Sequence, residues 1–361
     1  MAKLPPVRVV RAATSVRTAL QSLTRRMVPP EVDLLELTSG FMATHTVYAV
    51  ARLGVADALG DGPRPAAEVA AGLGTDPDAT YRLLRAAAAL RLLREDTSGR
   101  FALTPLGATL RADRDDSMRP VVLMIGDPAY QAVWGRLPES VTTGAPSAEA
   151  ALGVPMWEYL DRDPQFAGAF NDAMTRLSSL DWPTVEAAYD FTPFSTIVDV
   201  GGGHGQLLAR MLGAAPAATG VLLERESVIA GAEAHLREAG VLARCRLEAG
   251  SIFETAPDDG DLYVLRRVLH DFDDDWATAI LATVRRHMPD GATLLLMESI
   301  VPPGNDPHFA KSLDLDMLVF VGGRERTEPE YAALLERSGF RMTRVVPTIS
   351  TISLVEAEAG R

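Results

Sequence analysis

The stretch Val198-Asp199-Val200-Gly201-Gly202-Gly203-His204-Gly205 constrains this chain more than any other. A hydrophobic run passes straight into glycines, and a helix-forming sequence starts at Gln206. That is the strand–turn–helix corner of a βαβ unit, where glycine permits the tight turn and lets a ligand approach the backbone. The spacing is G-x-G-x-G. Position 206 is Gln, so the last glycine of a dinucleotide-type G-x-G-x-x-G is absent. A dinucleotide needs backbone N–H groups around its pyrophosphate, and the shorter variant suits a nucleoside that lacks one. Glu224 closes the next strand candidate, roughly 20 residues on, where an acid meets ribose hydroxyls. A carboxylate there favours a free ribose and repels a 2′-phosphate. Gly201, Gly203 and Glu224 are therefore candidate nucleoside contacts.

From residue 191 onward, strand patterns alternate with helix patterns. Strands are predicted over 196–201, 217–224, 246–253, 261–268 and 292–301, with helices over 206–212, 227–239 and 274–287. Such alternation predicts an α/β fold with a Rossmann-like, doubly wound parallel sheet. Two further strands, 341–346 and 351–356, are joined too briefly to be parallel, so they close the sheet as an antiparallel pair. The N-terminal part reads differently. Residues 66–73 form a short helix, Gly74-Thr75-Asp76-Pro77 a turn with Pro77 at the first helical position, 78–92 a second helix, and 94–104 a hairpin. Helix, turn, helix and hairpin make a winged helix. The predicted division is a basic arm (1–30), a winged-helix dimerisation domain (31–116), a helical segment covering the acceptor (117–190) and a cofactor-binding domain (191–361).

A winged helix raises the alternative of a ligand-binding transcription regulator. The second helix carries Arg82, Arg85, Arg91 and Arg94, but Leu83, Leu84 and Ala86 to Ala89 make it apolar over much of its circumference, so it reads as a packing module. The net charge of −13 also disfavours a nucleic-acid partner. The arm is basic through Lys3, Arg8, Arg11, Arg17, Arg25 and Arg26, without the apolar core of a secretion signal. No apolar run approaches the ~20 residues of a membrane span, and the single cysteine, Cys245, cannot form an internal disulfide. A cytoplasmic location is expected. The apolar face over residues 31–59, with Phe41, Val47, Val50, Leu53 and Leu59, is wider than one small domain needs and predicts a homodimer.

Four motifs, in order and spacing, resemble the class I S-adenosylmethionine-dependent small-molecule O-methyltransferases, the family of plant caffeate and flavonoid enzymes and of bacterial polyketide-tailoring enzymes. They are Asp199 to Gly205; Gly250-Ser251-Ile252-Phe253; Leu269-His270-Asp271-Phe272; and Gly322-Gly323-Arg324-Glu325-Arg326-Thr327. Phe170-Asn171-Asp172-Ala173-Met174 adds a weaker match. The resemblance implies S-adenosyl-L-methionine as cofactor, a small aromatic acceptor, dimerisation through the N-terminal region, and acceptor contacts from Phe170, Met174 and Met317. It also implies that Ser251 and Ile252 face the adenine, with Ser251 where the family usually has Asp, and that Arg266 stands where plant members carry Lys. Some relatives on this scaffold decarboxylate or hydroxylate instead.

His270 has its own case. It falls at the carboxyl end of a predicted strand, where doubly wound folds place their sites, and an imidazole can take a proton from a phenol. The resemblance assigns Glu298 and Glu325 to orient it. No metal is expected: Asp271, Asp273, Asp274 and Asp275 read as the acidic start of the following helix. His204 reads as a cofactor-loop residue, and His45, His235, His287 and His308 as structural.

Overall fold

In the computed structural model, residues 7–360 are described; Lys3 of the basic arm lies outside them. The chain divides into two compact units. One comprises Met1–Thr18, Leu137–Ala148 and Leu180–Arg361; the other comprises Ala19–Arg136 and Glu149–Ser179.

The second unit holds the winged-helix pattern. Helices Ala66–Leu73 and Pro77–Ala89 flank the turn, with Asp76 capping the second helix through Ala79 N. The strands are β1 (Arg64–Pro65), β2 (Leu93–Glu95) and β3 (Arg100–Leu103), in the order β1-β3-β2. The second helix stops at Ala89, earlier than its composition predicts, because Arg91 adopts φ 61° and turns the buried Leu92 and Leu93 into the hairpin. The broad apolar face of residues 31–59 splits. Val50 and Leu59 enter this unit's core, whereas Phe41 and Leu53 are exposed.

The first unit is built on a seven-stranded sheet ordered β6-β5-β4-β7-β8-β10-β9. Its strands are β4 (Thr196–Val200), β5 (Thr219–Glu224), β6 (Cys245–Ala249), β7 (Leu262–Arg266), β8 (Thr293–Ser299), β9 (Phe340–Pro347) and β10 (Ile352–Ala359). β4 to β8 are parallel; β10 pairs antiparallel with both β8 and β9. The central strands are buried on both faces: Ile197, Leu222, Val264, Leu295 and Leu354 belong to one apolar layer, and Val198, Leu223, Leu265, Leu296 and Val355 to the other. This accounts for their continuous rather than alternating hydrophobic pattern. β6 is shorter than predicted, since Gly250 and Ser251 leave the sheet in a turn that accepts N–H bonds from Glu254 and Thr255 at Ser251 O. The helix predicted over 227–239 is two, Glu226–Ile229 and Ala232–Glu238. Between them, a Cβ on Gly231 would lie 3.0 Å from His204 Nε2, so this break accommodates the imidazole of the glycine turn.

Candidate active site at the carboxyl edge of the sheet

The strand order reverses between β4 and β7, and doubly wound sheets take their ligands at the carboxyl ends on either side of such a reversal. On the β4 side, Gly201, Gly203 and Gly205 all have positive φ (70°, 58° and 76°), a conformation that L side chains rarely adopt. A Cβ on Gly203 would meet nothing within 4 Å, so the turn leaves open space there. A Cβ on Gly201 would press on Val268 at 3.2 Å and reach Ile252 at 3.9 Å. Glu224 ends β5 with Oε2 accepting from Gly203 N (3.1 Å) and Oε1 from Arg225 N (2.8 Å). Gly201, Gly203, Glu224 and Ile252 thus fall around one spot. Ser251 Oγ accepts from Phe253 N at 3.3 Å, which stabilises the turn after β6 and keeps the hydroxyl hydrogen for another partner.

Beneath the turn, Asp199 is fully buried. Burial pushes its carboxyl up to about 7, against the pull of Arg266. Its Oδ2 has no hydrogen-bond partner, and a Cβ on Gly202 would lie 2.4 Å from it. An orphaned buried acceptor below a turn of left-handed glycines, answered by an acid at ribose distance, fits a nucleoside cofactor. Arg266, expected to meet the cofactor directly, is paired with an acid. It and Arg267 share one oxygen of Asp181, at 3.1 and 3.2 Å. Asp181 had no sequence signal, because it sits in a helical run (Pro164–Glu186) far from the strand it serves.

On the β7 side, Arg267 takes φ 52° and ends the strand. The chain then makes a 3₁₀ turn, Leu269–Asp271, which carries His270. His270 is 6% exposed. Its Nδ1 lies 2.8 Å from Glu325 Oε1, and its Nε2 is 3.5 Å from Asp271 Oδ1. Glu298, at the end of β8, is brought to the same place. Its Oε1 accepts from Val268 N (3.1 Å) and Leu269 N (3.0 Å), holding the backbone of the turn. Burial raises the carboxyls of both glutamates, and raises Asp271 to about 6. The second oxygens of Glu298 and Glu325 have no partner. Ligand atoms of His270, Glu298 and Glu325 lie within 4.8 Å of one another, a set that could in principle hold a cation. The direct Nδ1···Oε1 contact is instead that of two groups sharing a proton.

Gly322-Gly323-Arg324-Glu325 runs against the His270 turn. Arg324 N donates to His270 O at 2.8 Å, and Glu325 N to Asp314 Oδ1 at 2.9 Å. Met317 lies half-buried on the helix Phe309–Phe320, where its carbonyl accepts from Val321 N and Gly322 N. Phe170 and Met174 belong to the other unit. There they flank a small cluster of Val121, Met124 and Ala173, with Phe170 edge-on to Trp157 at 6.5 Å.

A reversal crevice with a nucleoside-type glycine turn on one side and a buried histidine–glutamate pair on the other fits an S-adenosylmethionine-dependent methyltransferase. The chain belongs to the O-methyltransferase family: residues 134–341 match its O-methyltransferase domain and residues 35–113 its dimerisation domain. It is 40% identical over 330 residues to the phenazine O-methyltransferase PhzM of Lysobacter antibioticus (91% of this chain, 96% of that one). It is 41% identical over 332 residues to the O-demethylpuromycin-O-methyltransferase of Streptomyces alboniger (90% and 88%). Among solved structures it resembles the O-methyltransferase NcsB1 from neocarzinostatin biosynthesis, in complex with S-adenosylmethionine and 2-hydroxy-5-methyl naphthoic acid. The TM-score is 0.75 at 32% identity, covering 88% of this chain and 96% of that one. The protein is an S-adenosylmethionine-dependent O-methyltransferase of the secondary-metabolite type, and no helix among the described residues is long and apolar enough to cross a membrane.

Replacing Glu224 with alanine should weaken S-adenosylhomocysteine binding by about 1–3 kcal/mol, the cost of losing hydrogen bonds to a charged group. Isothermal calorimetry measures it. Unchanged affinity would remove Glu224 from the cofactor contacts.

Proposed function

We propose that this chain methylates a hydroxyl of a small phenolic or polyketide-like molecule, with His270 as the general base. The observation that carries the proposal is the buried His270–Glu325 pair at 2.8 Å, placed one turn beyond β7 at the strand-order reversal. The bound cofactor supplies an electrophilic methyl group on a sulfonium centre. Burial favours a single proton shared between Glu325 and Nδ1; where that proton sits on Nδ1, it is donated to the carboxylate and the Nε2 lone pair is left to take the acceptor's hydroxyl proton. Glu325 then stabilises the imidazolium, with Asp271 beside Nε2. Glu298 keeps the turn in place through two N–H groups. Ser251 and Ile252 are proposed for the adenine end, and Phe170, Met174 and Met317 for the acceptor. Arg266 is better read as part of the salt-bridged wall beneath the cofactor than as a direct contact, given its bond to Asp181. The reaction needs no metal.

The aromatic class of the acceptor follows the relatives, which act on phenazine, demethylpuromycin and naphthoate compounds. The test is transfer of labelled methyl from the donor to a panel of phenols. The four-part division of the sequence remains our reading of its organisation, with the cytoplasm as the proposed location and no nucleic-acid partner. A homodimer is proposed from the dimerisation-domain match and from the exposed Leu20, Leu23, Leu34, Leu35, Phe41 and Met42. Sedimentation that finds a stable monomer at micromolar concentration would refute it.

A further inference from the structure

Arg326 is the largest fully buried side chain among the described residues, at 0% exposure. An arginine is costly to bury, and replacing a buried ion pair with apolar groups often leaves stability unchanged or improved. Stability therefore does not account for its presence, and where its hydrogen bonds go is more informative. Nη1 donates to Leu269 O at 3.0 Å, and Nη2 to Phe272 O at 2.9 Å. These carbonyls flank His270 and Asp271. Nε donates to Asp274 Oδ1 at 2.9 Å, at the start of the helix Asp274–His287 that follows the turn. Arg326's own carbonyl accepts from Val301 N, and the residue bridges to Ile300 just beyond β8. The guanidinium thus ties the turn that carries the base to the helix after it, while the backbone of the same residue joins the chain just beyond β8, the strand that supplies Glu298.

Glu298 completes this arrangement from the opposite charge. It takes the N–H groups of Val268 and Leu269, while Arg326 takes the carbonyls of Leu269 and Phe272. The carbonyl of His270 is held by Arg324 N. A 3₁₀ turn this short has few hydrogen bonds of its own, so its position is set by these outside partners.

We propose that Arg326 is a positioning residue for the reaction: with Glu298 it clamps the backbone on both sides of His270 and fixes where the imidazole meets the acceptor. The proposal rests on the reading of His270 as the base. It predicts a loss in turnover separate from cofactor binding, because Arg326 touches none of the glycine-turn residues.

The experiment compares Arg326→Met, Arg326→Lys and Asp274→Asn, measuring kcat, S-adenosylhomocysteine affinity and melting temperature for each. A misplacement on the order of 1 Å costs about 10²-fold, so Arg326→Met should lower kcat by roughly 10–100-fold with cofactor affinity nearly unchanged. Arg326→Lys, which keeps the charge and reaches one carbonyl, should recover part of that loss. Asp274→Asn keeps the guanidinium but loosens its anchor, and should lower kcat by a smaller factor, again without affecting cofactor binding. The proposal is overturned if folded Arg326 variants turn over at the wild-type rate, or if kcat and cofactor affinity fall together. Should both Arg326 variants fail to fold, Asp274→Asn decides: unchanged kcat would make the clamp purely structural. If His270→Ala is inactive while Arg326→Met is fully active, only this inference fails; if His270→Ala retains turnover, the reading beneath it fails.

Discussion

His270→Ala will lower methyl transfer at neutral pH by roughly 10²–10⁴-fold, the usual contribution of a general base, while S-adenosylhomocysteine binds nearly as well as to the wild type. The imidazole touches Glu325 and Asp271, and nothing in the glycine turn hydrogen-bonds to it. The pH dependence separates this from general damage. The wild type takes the phenol's proton with its imidazole and does not need the phenol ionised beforehand. The mutant has no base to lose, and should regain rate only as the phenol ionises by itself at high pH. Glu325→Gln should cost less, because the amide oxygen can still accept from Nδ1 and only the charge that stabilises the imidazolium is lost. Near-wild-type turnover of His270→Ala at neutral pH would put the base elsewhere; loss of cofactor binding would put His270 on the wrong side of the site.

Gly323→Ala is expected to be nearly as severe, although it adds only a methyl group. A Cβ there would lie 2.0 Å from His270 O, 2.5 Å from Asp271 C and 2.8 Å from Asp271 O. All three are backbone atoms and cannot swing aside as a side chain can, so the His270 turn itself must move. Overpacking of this kind costs about 1–3 kcal/mol, and displacing the base by about 1 Å costs roughly 10²-fold in rate. Gly213→Ala is the control. It lies near the end of the helix Gln206–Ala214 with nothing within 4 Å of the added Cβ, and alanine favours helix there. Kinetics and thermal melts of both variants check the contrast. If Gly323→Ala behaves like Gly213→Ala, the close approach does not constrain the base.

Most of the fold could be read from the sequence because its central strands are buried on both faces and bounded by glycine. The helix Asp274–His287 was readable to the residue, since acids open it and Arg285, Arg286 and His287 close it in the sense the helix dipole favours. The misplaced boundaries have local causes. Arg91 and Arg267 end their elements by adopting a left-handed conformation that nothing in an arginine's side chain announces. Gly231 splits a helix because His204 packs over it. That the glycine turn, Glu224 and His270 stand at or just beyond the carboxyl ends of strands was legible, because each follows or closes a hydrophobic run. That Glu298 holds the backbone of the His270 turn was not, since which N–H groups a carboxylate reaches depends on the local register. Asp181 and Arg326 were missed for a related reason. Their partners lie far away in sequence, and a charged residue in a helix or after a glycine pair ordinarily reads as surface. The one hint was that Arg326 sits in the same short motif as Glu325.

The most direct test of the whole account follows the labelled methyl group of S-adenosylmethionine into a panel of phenolic acceptors, with wild-type protein and His270→Ala side by side. The account predicts label on a phenolic oxygen, absent when that hydroxyl is already methylated and sharply reduced in the variant. Label on a ring carbon or an amine with the hydroxyl untouched, or equal transfer by the two proteins, would contradict it.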